Sequence, residues 1–278
     1  MFGLFKKQEK PSEPQWPEFK QLSAQYLPEE RTILAVTGAN GFTGGRAGKE
    51  KLWTASIGLT AWLEEGEPEL HRGEFVLSTI ADDRLLEHLR HRTRPDSVIR
   101  FQGRVSEDGK RLLLLDLPEP AFDPELKAVL EEQKKPVTFE AEGMKFTLNR
   151  QVDWFETEVN WLNATISLVF DAGENHEACA ARAKQLLAAA ADWDRRVREY
   201  AAKELTGLAN DWAEELEDGG SQEISPKQFA ERLELESIEV RASGGFQFWF
   251  GDGDLFYGHS VWVTGDLEGG PDDAAMEG

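Results

Sequence analysis

Over much of its first hundred positions the chain alternates apolar and polar residues, the pattern of strands with one buried face. In LWTASIGLTAWL, residues 52–63, Trp53, Ala55, Ile57, Leu59, Ala61 and Leu63 share one side. TILAV (32–36) precedes that run and EFVLSTI (74–80) follows it, giving three strands. The period then changes. ADDRLLEHLRHR (81–92) gathers Leu85, Leu86 and Leu89 on one side and places two acids in its first turn, as an amphipathic helix does. SVIRFQGRV (97–105) and RLLLLDL (111–117) return to strand, joined by SEDGK, whose Asp-Gly is a hairpin signal. Three strands, a helix and two strands is the element order of an OB-like small barrel.

Beyond residue 118 the pattern becomes longer-range. Prolines flank a short helix in LPEPAFDPELKAVLEEQKKP, so residues 119–136 read as a linker. VTFEA (137–141) and KFTLN (145–149) turn about Glu142-Gly143, and a longer strand is expected near WLNATISLVFDAG (161–173). From 174 to 217 one stripe recurs at helical spacing through Cys179, Ala183, Leu186, Ala190, Val197, Tyr200, Leu205, Leu208 and Trp212. Asp192 or Asp194 could cap a second helix, so one bent helix and two remain equally open. Ser225 and Pro226 open a further helix, and SIEVRA (237–242), FQFWF (246–250) and HSVWVTG (259–265) close the chain as strands. The expectation is an α+β protein. It has a flexible Pro-rich leader (1–18), an OB-like β-barrel domain with one helix (19–118), and an antiparallel sheet packed against long helices (137–278).

The charge is unevenly placed. Residues 1–118 hold 17 Lys+Arg against 18 Asp+Glu, whereas residues 119–278 hold 14 against 34. The acidic half repels phosphate backbones, so nucleic acid is an unlikely partner for it and a basic protein a natural one. Arg92, Arg94, Arg100 and Arg104 in the neutral half leave a separate reading open, single-stranded nucleic-acid binding by the barrel. The longest apolar runs fall far short of a membrane span, and MFGLFKKQEK has apolar and basic residues in the wrong order for a secretory signal. A single cysteine, Cys179, rules out an intramolecular disulfide framework and fits a reducing cytoplasm.

Two stretches look like chemistry. ILAVTGANGFTGG (33–45) places Gly38, Gly41 and Gly44 at the spacing of a dinucleotide loop. Such a loop works only where a helix begins inside it, and here GRAGKEK and then strand pattern follow. No further βαβ units follow, and none of Tyr26, Tyr200 or Tyr257 has the Lys four residues on that a dehydrogenase of this type uses. An NAD(P)-dependent dehydrogenase is rejected, no cofactor is expected, and the glycines read as a loop between the first two barrel strands.

The second stretch is GGFQFWFGDGDLFYGHSVWVTG (244–265). Here Trp249, Asp252, Asp254, Tyr257 and His259 form a candidate ligand or partner site. As a calcium loop it fails, because the sixth position is Tyr257 and the twelfth Val263. A zinc site would need a third ligand from elsewhere. The plainer alternative is a turn whose aspartates accept backbone N–H bonds while His259 bonds within the sheet. His176 with Cys179, and Asp153, Glu156 and Glu158 around Trp154, read as core and solvated-face residues rather than chemistry. No metal or catalytic residue is assigned.

DGDLFYGHSVWV, the closing DDAAMEG, ANDWAEE and FAERLELESIEV together resemble a bacterial family catalogued as domain of unknown function 2262. The resemblance extends through residues 137–278. It implies that the N-terminal glycine-rich stretch, Trp-Thr strand and VSEDGKRLLLLDL hairpin belong to the same family, and it implies no catalytic residue. The sequence therefore reads as a non-enzymatic binding or interaction protein with a basic protein partner, of the inhibitory or immunity type by analogy with other small acidic domains. The alternatives are a hydrolase-like or metal-binding protein using Asp252, Asp254 and His259, and the nucleic-acid reading of the barrel.

Overall fold

A computed structural model describes residues 16–216 and 223–278, so most of the expected leader lies outside the described residues. The chain divides into two compact units, Met1–Lys135 and Pro136–Gly278.

The first unit is a closed five-stranded barrel with helices. Its elements are α1 (Pro17–Ser23), β1 (Arg31–Thr37), β2 (Thr43–Gly45), β3 (Trp53–Glu64), β4 (His71–Ala81), α2 (Asp83–Arg92), β5 (Val98–Val105), β6 (Arg111–Leu114), β7 (Glu119–Pro120) and α3 (Pro124–Gln133). The strand order β1-β3-β4-β6-β5 closes through a β5–β1 pairing. All five of these pairings are antiparallel except β4–β6. The alternation in β3 has the expected cause: Ala55, Ile57 and Leu59 enter the barrel beside Ile33, Phe101 and Leu112. Helix α2 adds Leu86 and Leu89 to that core, and the Asp82 carboxylate accepts from the Leu85 N–H to start it.

The near-continuous apolar run of β1 needs a second cover, and α3 supplies it. Leu126, Val129 and Leu130 pack on Leu34, Val36, Ala61, Leu63 and Val98, on the opposite side of the strands from the barrel core. Gln133 donates to the Thr37 carbonyl (2.9 Å) and to Asp96 (2.6 Å). The helix within the stretch expected as a linker is thus packed on the barrel.

The second unit comprises β8 (Thr138–Ala141), β9 (Met144–Asn149), β10 (Trp154–Trp161), β11 (Ala164–Asp171), α4 (His176–Ala188), α5 (Ala190–Leu216), α6 (Pro226–Arg232), β12 (Glu234–Val240), β13 (Gly245–Gly251), β14 (Ser260–Asp266) and β15 (Gly270–Glu277). The sheet runs β15-β14-β13-β12-β11-β10-β9-β8 and is antiparallel except for β11–β12, the pair separated in sequence by the three helices. A parallel pair needs a long crossover, and the helices are that crossover.

Three readings are corrected or decided. The strand expected near 161–173 is β11, and it pairs with β10 in a hairpin whose turn holds Leu162 at φ 54. The 174–217 stretch is two helices, broken at Ala189 (φ −119, ψ 28). Asp194 does not cap; it accepts from Trp161 Nε1 (3.1 Å) and Arg198 Nε (2.8 Å). Arg198 also donates to the Ala230 and Leu233 carbonyls, so the pair ties β10, α5 and α6 together.

The helices cover one sheet face. Cys179, Ala183, Val197, Ala201 and Phe229 meet Phe146, Phe170, Phe248 and Phe250 there, and the small helix residues let the aromatic sheet residues fill the space. Among the described residues no helix is long and apolar enough to cross a membrane.

Candidate functional site

The five candidate residues do not make one site. Strand alternation sends Phe246, Phe248 and Phe250 to the helix face and Trp249 to the other face. His259 lies on the helix side: its ring meets Trp212 of α5 edge-on at 5.3 Å, and its Nδ1 is 2.5 Å from the Phe256 carbonyl.

Asp252 organises the loop between β13 and β14. It is 5% exposed, and its carboxylate accepts from the N–H groups of Asp254 (3.1 Å), Phe256 (2.6 Å) and Gly258 (3.1 Å). To wrap around that carboxylate the backbone turns left-handed at Gly253, Asp254, Tyr257 and Gly258. Gly253 has a second constraint, since a Cβ there would lie 2.3 Å from the Arg232 carbonyl oxygen. Leu255 and Phe256 anchor the loop in the core, leaving Tyr257 55% exposed. The inward N–H groups that an anionic ligand would use already bond Asp252. The geometry is that of a turn centred on Asp252 alone, with His259 at a carbonyl of the loop rather than of the sheet.

The other residues singled out take structural positions. His176 packs among Phe139, Phe155 and Phe170, with Nε2 2.8 Å from the Ala172 carbonyl. Cys179 is fully buried, and burial, aided by Glu174 and Asp171, pushes its thiol up to about 11. Asp153 sits in a turn, and Glu156 accepts from Asn149 (3.2 Å). Among the described residues no three or more His, Cys, Asp and Glu side chains are grouped to hold a metal ion.

The barrel arginines divide. Arg100 grips Glu65 through two 2.9 Å bonds, and Arg104 donates to Ser23 (2.9 Å) and Glu30 (3.4 Å). Arg92 and Arg94 border a groove of about 450 Å³ with Ile99, Pro118 and Pro120. The outward β3–β4 positions Ser56, Gly58, Val76 and Ser78 carry neither the aromatic nor the cationic side chains that single-strand binding uses. In the glycine stretch, Gly44 lies on β2, where a Cβ would meet the Leu86 side chain at 2.6 Å, and β3 rather than a helix follows. A wider groove of about 930 Å³ between α5 and α6 has cationic rims. Arg195, Arg198, Lys203 and Lys227 are each paired with a carboxylate.

What remains is the sheet face turned away from the helices. Across it one register row reads Ala275, Trp262, Trp249, Ser237, Ser167, Glu158. The next reads Asp273, Thr264, Gln247, Glu239, Val169, Glu156. Two half-buried tryptophans therefore stand side by side on a face carrying Glu156, Glu158, Glu239 and Asp273. The unit holds 29 Asp+Glu against 11 Lys+Arg over residues 136–278. Trp262 was not singled out from sequence, because only the register shows that it neighbours Trp249.

An α+β protein with a barrel unit and a helix-backed acidic sheet unit is thus defined. Residues 143–276 match the model of a family described as an uncharacterized protein conserved in bacteria, domain of unknown function 2262, so the resemblance of the C-terminal motifs stands. Residues 18–133 match a different model, domain of unknown function 7021. The glycine stretch, the Trp-Thr strand and the hairpin lie within that second match. Neither the comparison with curated proteins nor that with solved structures gave a match.

Proposed function

We propose that the protein is a binding module whose C-terminal unit docks a basic protein partner on its open sheet face, in the reducing cytoplasm that a lone buried thiol fits. The observation that carries this is the Trp249–Trp262 pair on the sheet face turned away from the unit's described helices, in a unit of net charge −18 by residue count. Aromatic residues beside acids suit lysine and arginine, which bring both a charge and an apolar stem. Rim charges steer such a partner and make its capture salt-sensitive. The hydrolase-like reading is weaker because the Asp252 carboxylate is committed to its own loop. The nucleic-acid reading is weaker because Arg100 and Arg104 are already paired. The inhibitory or immunity role is one way such a module acts.

Cross-linking in bacterial cells expressing the tagged full chain tests the proposal. A basic protein should be recovered with wild type, be lost with the double variant Trp249→Ala/Trp262→Ala, and dissociate at high salt. Recovery that is indifferent to both tryptophans would overturn it.

A further inference from the structure

The open face ends at a free strand edge, and the two together define how a partner would be held. β15 pairs with β14 along Gly270–Glu277 and has no second strand neighbour among the described residues. A strand at a sheet edge turns the N–H and C=O groups of alternate residues outward, a template for another strand. Its start is occupied: the Tyr200 hydroxyl donates to the Asp272 carbonyl at 2.6 Å, and the Ala274 N–H donates to the Asp273 carboxylate at 2.8 Å. The run from Ala275 to Glu277 lies beyond those contacts. Ala274 and Met276 pack against the helix-side core, so the intervening Ala275 faces the open side, flanked by Asp273 and Glu277.

The small side chain of Ala275 matters. Adjacent strands lie about 4.8 Å apart, so an added strand is two spacings from β14. Only a methyl group stands between it and Trp262, the register partner of Ala275. A long side chain opposite Ala275 can therefore cross that methyl group and lay a cation on the indole, with Asp273 and Glu277 on either side. The same acids oppose pairing of β15 with a second copy of itself, since like charges would face each other.

We propose that the partner adds an extended lysine- or arginine-bearing segment to β15 as a ninth strand, with one cation seated over Ala275 on Trp262. This rests on the proposed use of the open face and specifies how the partner is recognised.

Titration calorimetry of the full chain with a short peptide alternating lysine and valine tests it. Comparators are the glutamate counterpart and a version N-methylated on alternate residues, which cannot complete a ladder. The lysine peptide should bind and should slow hydrogen exchange in β15. N-methylation or Trp262→Ala should each weaken it by about tenfold. Ala275→Arg, with an unchanged melting temperature, should abolish binding, and the glutamate peptide should not bind. Equal affinity for the N-methylated peptide overturns strand addition while leaving the open-face proposal standing. So does an absence of lysine-peptide binding at about millimolar concentration while the cross-linked partner still depends on the tryptophans. Loss of that dependence as well overturns both. Sedimentation showing a dimer that Ala275→Arg dissociates would make a second copy the occupant, and would also overturn the proposal.

Discussion

The two faces of the C-terminal sheet are built from the same strands by alternate residues, yet they have opposite fates. On β13, Phe246, Phe248 and Phe250 are buried under helices, while Gln247 and Trp249 between them are only half-covered. The helix face is closed by small residues on α4 and α5, whereas the other carries carboxylates and two indoles that no helix of this unit meets among the described residues. In the proposed function, stability is assigned to one face and recognition to the other. Mutations that separate the two roles are the sharpest way to break this contrast.

The largest effect is expected at Phe248, fully buried and in ring contact with Trp161, Phe246 and Phe250. Phe248→Ala should cost about 3–5 kcal/mol in chemical denaturation, through the cavity left among those rings. Asp252→Ala comes next. It would leave three inward N–H groups unpaired and should cost about 3 kcal/mol, lowering the melting temperature without altering the open face. On that face Trp249→Ala and Trp262→Ala should each cost no more than about 1 kcal/mol, the scale of a cross-strand pair, while each weakens partner capture and the two together abolish it. A loss of several kcal/mol there would mean that the face is a core with an unseen cover.

The smallest effect concerns an acid of the first unit that is partly desolvated. Burial raises the Asp116 carboxyl above its usual value of 3.8, with Glu119 adding to the shift, while its Oδ1 accepts from the Gln102 N–H at 2.7 Å. A raised folded value means that the contribution of this group is fully present below pH 3.8 and falls as pH rises through the folded value. Asp116→Asn keeps an acceptor for Gln102 and removes the ionisation. The variant should therefore gain stability relative to wild type as pH rises from 3 to 7, read as the difference in melting temperature at each pH.

Much of this architecture was legible before the coordinates. The alternation of β3 and the leucine triplet of α2 place the barrel, because their period is set by one local face. β15 was not legible: GPDDAAME is acidic and small, with no β-branched residue, and is a strand because β14 offers it a ladder. The break at Ala189 was hidden in an alanine run that carries no breaker. The candidate site was half legible. The aspartate turn follows from Asp-Gly-Asp, but His259 and Trp249 sit on opposite sides of the sheet, and only three-dimensional register gives Trp249 its neighbour Trp262.

The central claim is that recognition happens on the open face and not in the Asp252 loop. Photo-cross-linking tests it most directly, with a photoreactive phenylalanine analogue placed at Gln247, beside the tryptophans on the open face, in one chain and at Tyr257, the exposed tip of the loop, in another. The account predicts that the Gln247 probe captures a basic protein and the Tyr257 probe captures none. Capture from Tyr257 alone would contradict it.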